Sequence, residues 1–404
     1  MPPSQNSEVY NFLTSAPAEF KRKSPQGGDQ NRSTNTYLDV PPPRTKGSTH
    51  LWSSRILRGV RLGMDPDAEW KEEKENFLQD ARSWKPLHLP VTPIPFDYPR
   101  TEDDVVLAFE LQVAIPILQI ANANKWVPHP VGKMSNVRWD LALLGEAYSK
   151  TPEDPSLSGE KLPGVRVDKL FVLSPFLREG AESRQYVAAE RFRQQQATKA
   201  DESGVRGANG YLREDTIWGF AEGSLDDSTA SLKGLLPLEC KNLNALKKDL
   251  FEWLAAHRIP LDDTAERVIT LALAKSTQSG PNRPRPTKQA LLGTISMLQQ
   301  ALRYGRHYGV PRVMLTDYFS AVVIDTHLQS NVEAPSGTAA SEGEHKRPLG
   351  QEHKPNVVTS LNWFFVEKED LRATVAYYLR SALSKVRKLL DDNVKAQEAG
   401  KPEY

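Results

Sequence analysis

Apolar spacing divides this 404-residue chain into a few strongly patterned runs separated by polar, proline-rich stretches. The first strong run is Thr101-Glu102-Asp103-Asp104 followed by VVLAFELQVAIPILQIANANKW. Thr101 suits an N-cap and the acidic triplet sits where the helix dipole favours negative charge, so a helix is predicted from about Glu102 to Ala123, kinked at Pro116. Helical spacing places Val106, Val113 and Ile117 around Glu110, while Gln112 and Gln119 share a separate polar stripe. Glu110 is thus a carboxylate in an apolar face. Burying it alone is costly, so it needs a partner: a metal site, an Arg or Lys, or backbone donors.

Two further runs, SNVRWDLALL (135–144) and VRVDKLFVLSPF (165–176), carry β-branched and aromatic residues and read as strands or short helices. LREDTIWGFAEG (212–223) and LLPLECKN (235–242) flank a polar link holding Asp226, Asp227, Ser228 and Gly234, the pattern of an antiparallel hairpin. An amphipathic helix is expected around Asn244 to His257, a long helix from about Lys288 to Tyr308, and a strand pair over 312–325. LNWFFVEK reads as a strand, and a helix with a basic second half follows from about Lys368 to Gln397. In the long helix Leu291, Ile295, Leu298 and Leu302 form the core stripe, Gln299, Arg303 and Arg306 share its flank, and Gln300 falls opposite, toward solvent.

Composition adds the domain boundaries. Residues 1–48 are rich in Ser, Pro, Asn, Gly and Lys and read as a disordered tail; 49–100, with Trp52, Trp70, Trp84 and Phe96 to Tyr98 between basic residues, read as a helical cap. The core is expected over 101–329 with an inserted loop at about 178–210. A low-complexity loop at 330–356 and a C-terminal strand and basic helix at 357–404 complete the chain. With 39% hydrophobic residues the core can be a real one, and the fold class expected is α/β: a mixed central sheet of four or five strands flanked by helices.

Charge narrows the function classes. Fifty-two basic and 51 acidic residues leave a formal charge of +1, so nucleic acid is not attracted by a global field and any polyanion contact must be local. A patch of Arg303, Tyr304, Arg306 and His307 can supply one. One cysteine rules out an intramolecular disulfide, the N-terminal residues lack a signal-peptide pattern, and no stretch approaches the roughly 20 apolar residues that span a bilayer. A soluble intracellular protein, of nucleus or cytoplasm, is expected. The eight histidines show no metal-ligand spacing, and neither a Gly-rich phosphate loop nor a nucleophile elbow is present.

The candidate chemistry lies in Glu239-Cys240-Lys241. In a strand Glu239 and Lys241 share one face and Cys240 the other. Hairpin pairing would bring Asp215 alongside Glu239, with Asp140 and Asp168 competing for the aspartate position. Two converging carboxylates and the Cys240 carbonyl suit Mg²⁺ or Mn²⁺, and Lys241 can assist a metal-bound water or stabilise charge on a phosphate. That set fits phosphodiester hydrolysis.

A helix with Glu, an Asp on a strand, an apolar strand ending in E-x-K, a helix with Gln-x-x-x-Arg or Gln-x-x-x-Tyr, then a strand: this order resembles the PD-(D/E)XK restriction-endonuclease-like superfamily. It is most similar to the nuclease-like modules of large fungal families and Crinkler-type effectors, over roughly Thr101 to Asp325. The resemblance implies a restriction-endonuclease-like fold and a metal-dependent nuclease acting on DNA or RNA. It also implies roles for Glu110 as the first-helix glutamate, Asp215 as the motif aspartate, Glu239 and Lys241 as the E-x-K pair, and Gln299 as the helix glutamine. The proline that usually precedes the aspartate is absent from Arg213-Glu214-Asp215. The same pattern also allows an inactive nuclease-fold protein that binds nucleic acid or a protein, and the third alternative is an interaction scaffold or effector.

Overall fold

Long alternating strands need both faces covered, and in this protein helices from the two ends of the chain cover one face while the central helices cover the other. The computed structural model describes residues 8–20, 60–63, 67–87, 89, 93–99, 101–127, 137–149, 165–177, 233–275, 286–308, 310–326, 329–332 and 357–398. In chain order these contain α1 (Glu8–Leu13), β1 (Val60–Leu62), α2 (Asp67–Ala81) and α3 (Glu102–Ala123). Strands β2 (Val137–Ser149), β3 (Val165–Leu177) and β4 (Lys233–Cys240) follow, then helices α4 (Lys248–Ala256), α5 (Ala265–Lys275) and α6 (Lys288–Tyr308). Next come β5 (Arg312–Thr316), β6 (Ser320–Asp325), β7 (Gln329–Val332), β8 (Val357–Leu361) and β9 (Trp363–Glu367), and α7 (Leu371–Glu398) ends the described chain.

The α/β class holds, with a larger sheet than expected. Six strands run in the order β2-β3-β4-β5-β6-β9, antiparallel except for the parallel pair β4 and β5. A parallel step needs a crossover, and α4, α5 and α6 supply it. A second sheet, β1-β8-β7, lies beside the first; β8 and β9 are separated only by Asn362, so the chain passes there from one sheet to the other. The segment read as a helical cap therefore contributes a strand, β1, as well as α2. The two runs left open between strand and helix are both strands, 13 residues each. Residues 212–223, expected to pair with β4, lie outside the described residues; the antiparallel partner of β4 is β3, with Lys169 opposite Leu238.

Alternation assigns the two cores. Phe171, Leu236, Leu238, Cys240 and Met314 face α1, α2, α3 and α7, whereas Leu170, Val172, Val313 and Leu315 face α4, α5 and α6. Helix α5 was not anticipated by the sequence reading.

Helix α3 begins as expected, with Thr101 and Asp104 forming a capping box. Its middle is a π-helical turn at Glu110–Ala114 rather than a kink at Pro116. Proline has no N–H for the carbonyl four residues back, that of Gln112. The Gln112 carbonyl accepts instead from Nε of Arg372 at 3.1 Å. The extra residue of the π turn separates the faces of Gln112 and Gln119: Gln112 is buried and Gln119 only partly, so the polar stripe drawn through both does not exist. By length and composition α3 could cross a membrane, contrary to the expectation that no stretch approaches that length; here its apolar face, including Phe109, Val113, Ile117 and Ile120, is buried in the core.

Close packing constrains the end of α6. A methyl group on Gly305 would stand 2.2 Å from Cγ2 of Thr326, whose hydroxyl is held by the Val310 carbonyl at 2.6 Å. Because that hydroxyl is tied, Thr326 cannot turn away freely. Gly305→Ala is expected to destabilise the protein by about 1–3 kcal/mol, measured by urea unfolding.

Candidate functional site

The register Lys169 opposite Leu238 puts Asp168 of β3 across from Glu239 at the end of β4. Oδ2 of Asp168 accepts from the backbone N–H of Cys240 at 2.8 Å, which fixes this carboxylate against the end of β4. Lys241 follows the strand, and its N–H donates to the carbonyl of Thr316, the last residue of β5, at 2.7 Å. Two carboxylates and one ammonium therefore meet at one end of the sheet.

Glu239 is 6% exposed and Lys241 9%, so neither can be satisfied by bulk water alone. Oε1 of Glu239 accepts from Lys241 Nζ and from Gln300 Nε2, each at 2.7 Å. Oε2 of Glu239 is buried and accepts nothing from the described residues. An ionised carboxylate oxygen left without a donor in a dry place is costly, and such an orphan marks a position suited to a cation.

Helix α6 supplies the roof. Gln300 donates to Tyr304 Oη as well as to Glu239, and its Oε1 accepts from Lys241 Nζ at 3.3 Å. Tyr304 is 3% exposed, and burial together with the Glu239 charge pushes its hydroxyl far above the usual phenol range. The expectation that Gln300 is solvated is thus overturned. Met297, Ala301, Tyr304 and Tyr308 are buried along with the leucine stripe, so the covered face of α6 is wider than the stripe and turned toward Gln300. Gln299, expected at the site, donates to the carbonyl of Leu261 at 2.7 Å on the other border of that face.

A third carboxylate enters from the start of α3. Oε1 of Glu102 is 3.9 Å from Lys241 Nζ, and its side chain is 37% exposed, more open than Lys241. Burial raises the Glu102 pKa, opposed by Lys241 and assisted by Asp168 and Asp103. For Lys241, burial disfavours the charge, yet Glu239, Glu102 and Asp168 outweigh it and the ammonium is held above its ordinary range. A raised lysine pKa contributes stability that is complete below the unfolded value of 10.5 and is lost as pH rises through the higher folded value. The stability gap between wild type and Lys241→Met, followed by denaturant unfolding, is therefore expected to stay flat from neutral pH to about 10.5 and to narrow above it.

Other sequence-derived candidates lie elsewhere. Glu110 pairs with Lys169, which settles its need for a partner in favour of a lysine and takes it out of the cluster. Cys240 is buried on the opposite core face, and burial pushes its thiol well above the usual range, as expected of a packing residue. Arg303 is half-buried, and burial lowers its pKa, while Tyr304 is enclosed against Glu239 and so does not present a surface to a polyanion. Arg306 and His307 lie in α6, but their side chains are outside the described residues, as is that of Asp140. Asp215 is outside the described residues altogether; Asp168, its competitor, stands beside Glu239.

What sequence reasoning missed was Glu102 and Gln300. The Gln300-x-x-x-Tyr304 spacing was available as a signal, since residues four apart stack on one helix face. Among the described residues no group of three or more His, Cys, Asp or Glu forms a ready-made metal cluster. Compared with protein families, with curated proteins and with solved structures, the chain matches none.

Proposed function

We propose that this protein is a metal-dependent phosphodiester hydrolase acting on DNA or RNA, with a restriction-endonuclease-like core of the PD-(D/E)XK type formed by α3, β2, β3, β4, α6 and β5. The observation that carries this reading is Glu239: a buried carboxylate with one oxygen on Lys241 and Gln300 and the other without a donor, facing Asp168 across the β3–β4 pair. Three carboxylates, Glu102, Asp168 and Glu239, surround one ammonium, an excess of negative charge that one divalent cation would neutralise. The order of elements supports the resemblance with three changes of residue. Asp168 takes the aspartate position in place of Asp215, and Gln300 with Tyr304 takes the helix position in place of Gln299. Glu102 fits the first-helix glutamate better than Glu110, which is committed to Lys169.

Asp168, Glu239 and the carbonyl of Cys240 would hold Mg²⁺ or Mn²⁺, with Glu102 on the far side of the Lys241 ammonium adding negative charge. Bound there, the ion would polarise a phosphate and lower the pKa of a bound water. The chain's own groups divide the remaining work. Gln300 holds Glu239 in a fixed rotamer through one hydrogen bond and is itself held by Tyr304. Lys241, kept protonated by its acidic neighbours, offers a cation for charge developing on the transferred phosphate. Burial of Glu239, Lys241 and Tyr304 excludes bulk water and strengthens each of these interactions.

The direct ion pair of Lys241 with Glu239 favours a second reading, an inactive nuclease-fold protein that binds nucleic acid or a protein partner, in which the lysine satisfies the carboxylate permanently. Incubating the full chain with Mg²⁺ or Mn²⁺ and plasmid or RNA separates the two. Cutting that disappears in both Glu239→Gln and Lys241→Ala supports the hydrolase. Salt-sensitive binding without cutting supports the second reading.

A further inference from the structure

The turn between β5 and β6 is built more tightly than a surface turn needs to be. Asp317 is 1% exposed and pairs with no basic side chain among the described residues; its carboxylate is satisfied entirely by donors of the chain. Oδ1 accepts from the N–H of Phe319 at 3.2 Å, from the N–H of Ser320 at 2.8 Å and from the Ser320 hydroxyl at 2.9 Å. Oδ2 accepts a single bond, from the N–H of Leu246 at 3.1 Å. The turn also holds Tyr318 at φ 76, a left-handed conformation that a bulky aromatic residue adopts only when its surroundings enforce it.

Leu246 belongs to the segment that follows Glu239-Cys240-Lys241. Its other end is tied to the same turn region, by the Lys241 N–H on the Thr316 carbonyl at 2.7 Å. The six residues from Lys241 to Leu246 are thus fastened at both ends to the end of β5, with Asn244 at φ 60 making the bend between them.

The geometry points to Asp317 as a positioning residue: through Oδ2 and the Leu246 N–H it fixes the loop that holds the Lys241 ammonium between Glu239 and Glu102. Asp317 touches none of the proposed reacting groups. It acts on them through the backbone of 241–246. That this positioning serves hydrolysis rests on the function proposed above; the positioning itself does not.

Asp317→Asn separates the two halves of the carboxylate. The amide oxygen can stay with the turn donors, and the amide nitrogen then meets the Leu246 N–H, which needs an acceptor. Ser320→Ala is the matched control, since it removes a bond to Oδ1 and leaves Leu246 alone. Lys241 in the full chain is acylated with an N-hydroxysuccinimide ester and its modification followed by peptide mass spectrometry. Losing a hydrogen bond to a charged acceptor corresponds to about a tenfold rise in the open loop and hence in Lys241 modification for Asp317→Asn, against less than about twofold for Ser320→Ala. Equal rates in the two variants overturn the inference, whatever the protein does to nucleic acid.

Hydrogen exchange of the wild-type chain tests it without any variant. The Lys241 and Leu246 amides should be protected together with those of Phe319 and Ser320. Fast exchange at 241 and 246 beside slow exchange at 319 and 320 overturns the inference. Absence of Mn²⁺ binding and of cutting by the wild type sinks the hydrolase reading alone. Cutting that is unchanged in Asp317→Asn, with Lys241 exposed, leaves that reading standing and overturns the positioning role in it.

Discussion

Replacing Glu239 with glutamine is expected to lower phosphodiester cleavage by about 10³-fold or more while leaving the fold in place. The side chains are nearly isosteric, and the amide oxygen can keep the two bonds that Oε1 now accepts from Lys241 and Gln300. What changes is the other atom. The buried Oε2, which accepts nothing from the described residues, becomes an NH₂ group that repels a cation. If Oε2 is the atom that recruits the ion, Mn²⁺ binding by calorimetry disappears along with cutting, while the far-ultraviolet circular dichroism spectrum is retained. Full cutting by Glu239→Gln would end the hydrolase proposal for this cluster. Removal of Lys241 should have a smaller effect on metal binding than on rate, because its charge serves the phosphate and competes with the cation for Glu239.

The second large effect concerns stability and lies far from that cluster in sequence. Arg372→Leu is expected to cost about 3–5 kcal/mol, seen as a lower urea midpoint and as early proteolysis within residues 8–20. Arg372 is 5% exposed, and burial pulls its pKa down to about 10. Its acceptors among the described residues are all neutral: the Gln112 carbonyl freed by Pro116, the Gln112 side chain, the Phe12 carbonyl, and the carbonyl and hydroxyl of Ser15. It also stacks over the Phe12 ring at 4.2 Å. Phe12 and Ser15 stand at the C-terminal end of α1, where the helix dipole is negative, so the charge is met by partial charges instead of an acid. Leucine would fill the space and leave these oxygens without donors. Unchanged stability would mean that water replaces the arginine at no cost.

This anchor also shows where the chain-terminal reading fell short. Residues 1–48 read as a tail by composition, yet Val9, Phe12 and Leu13 are buried in the main core, and Phe20 packs against Phe96, Tyr98, Tyr318 and Phe319. A handful of apolar residues in a polar stretch is invisible to composition, because only the surface they meet decides whether they are buried.

The helices and strands with a clear period were determined by local sequence. The cap and length of α3, the span of α6, the pair β5 and β6, and the shared face of Glu239 and Lys241 all follow from side-chain spacing along one segment, which is the same wherever that segment lies. Which segments meet does not follow from spacing. The antiparallel partner of β4 is a strand more than 50 residues earlier, and this makes Asp168 the neighbour of Glu239. The site helix turns Gln300 inward because its buried face is set by contact with the sheet and with α5 as well as by its leucines. Glu102 reaches Lys241 only because α3 begins at that end of the sheet. Long-range register and packing decide such contacts, and a sequence carries them only in the sum of many weak interactions that no single motif displays.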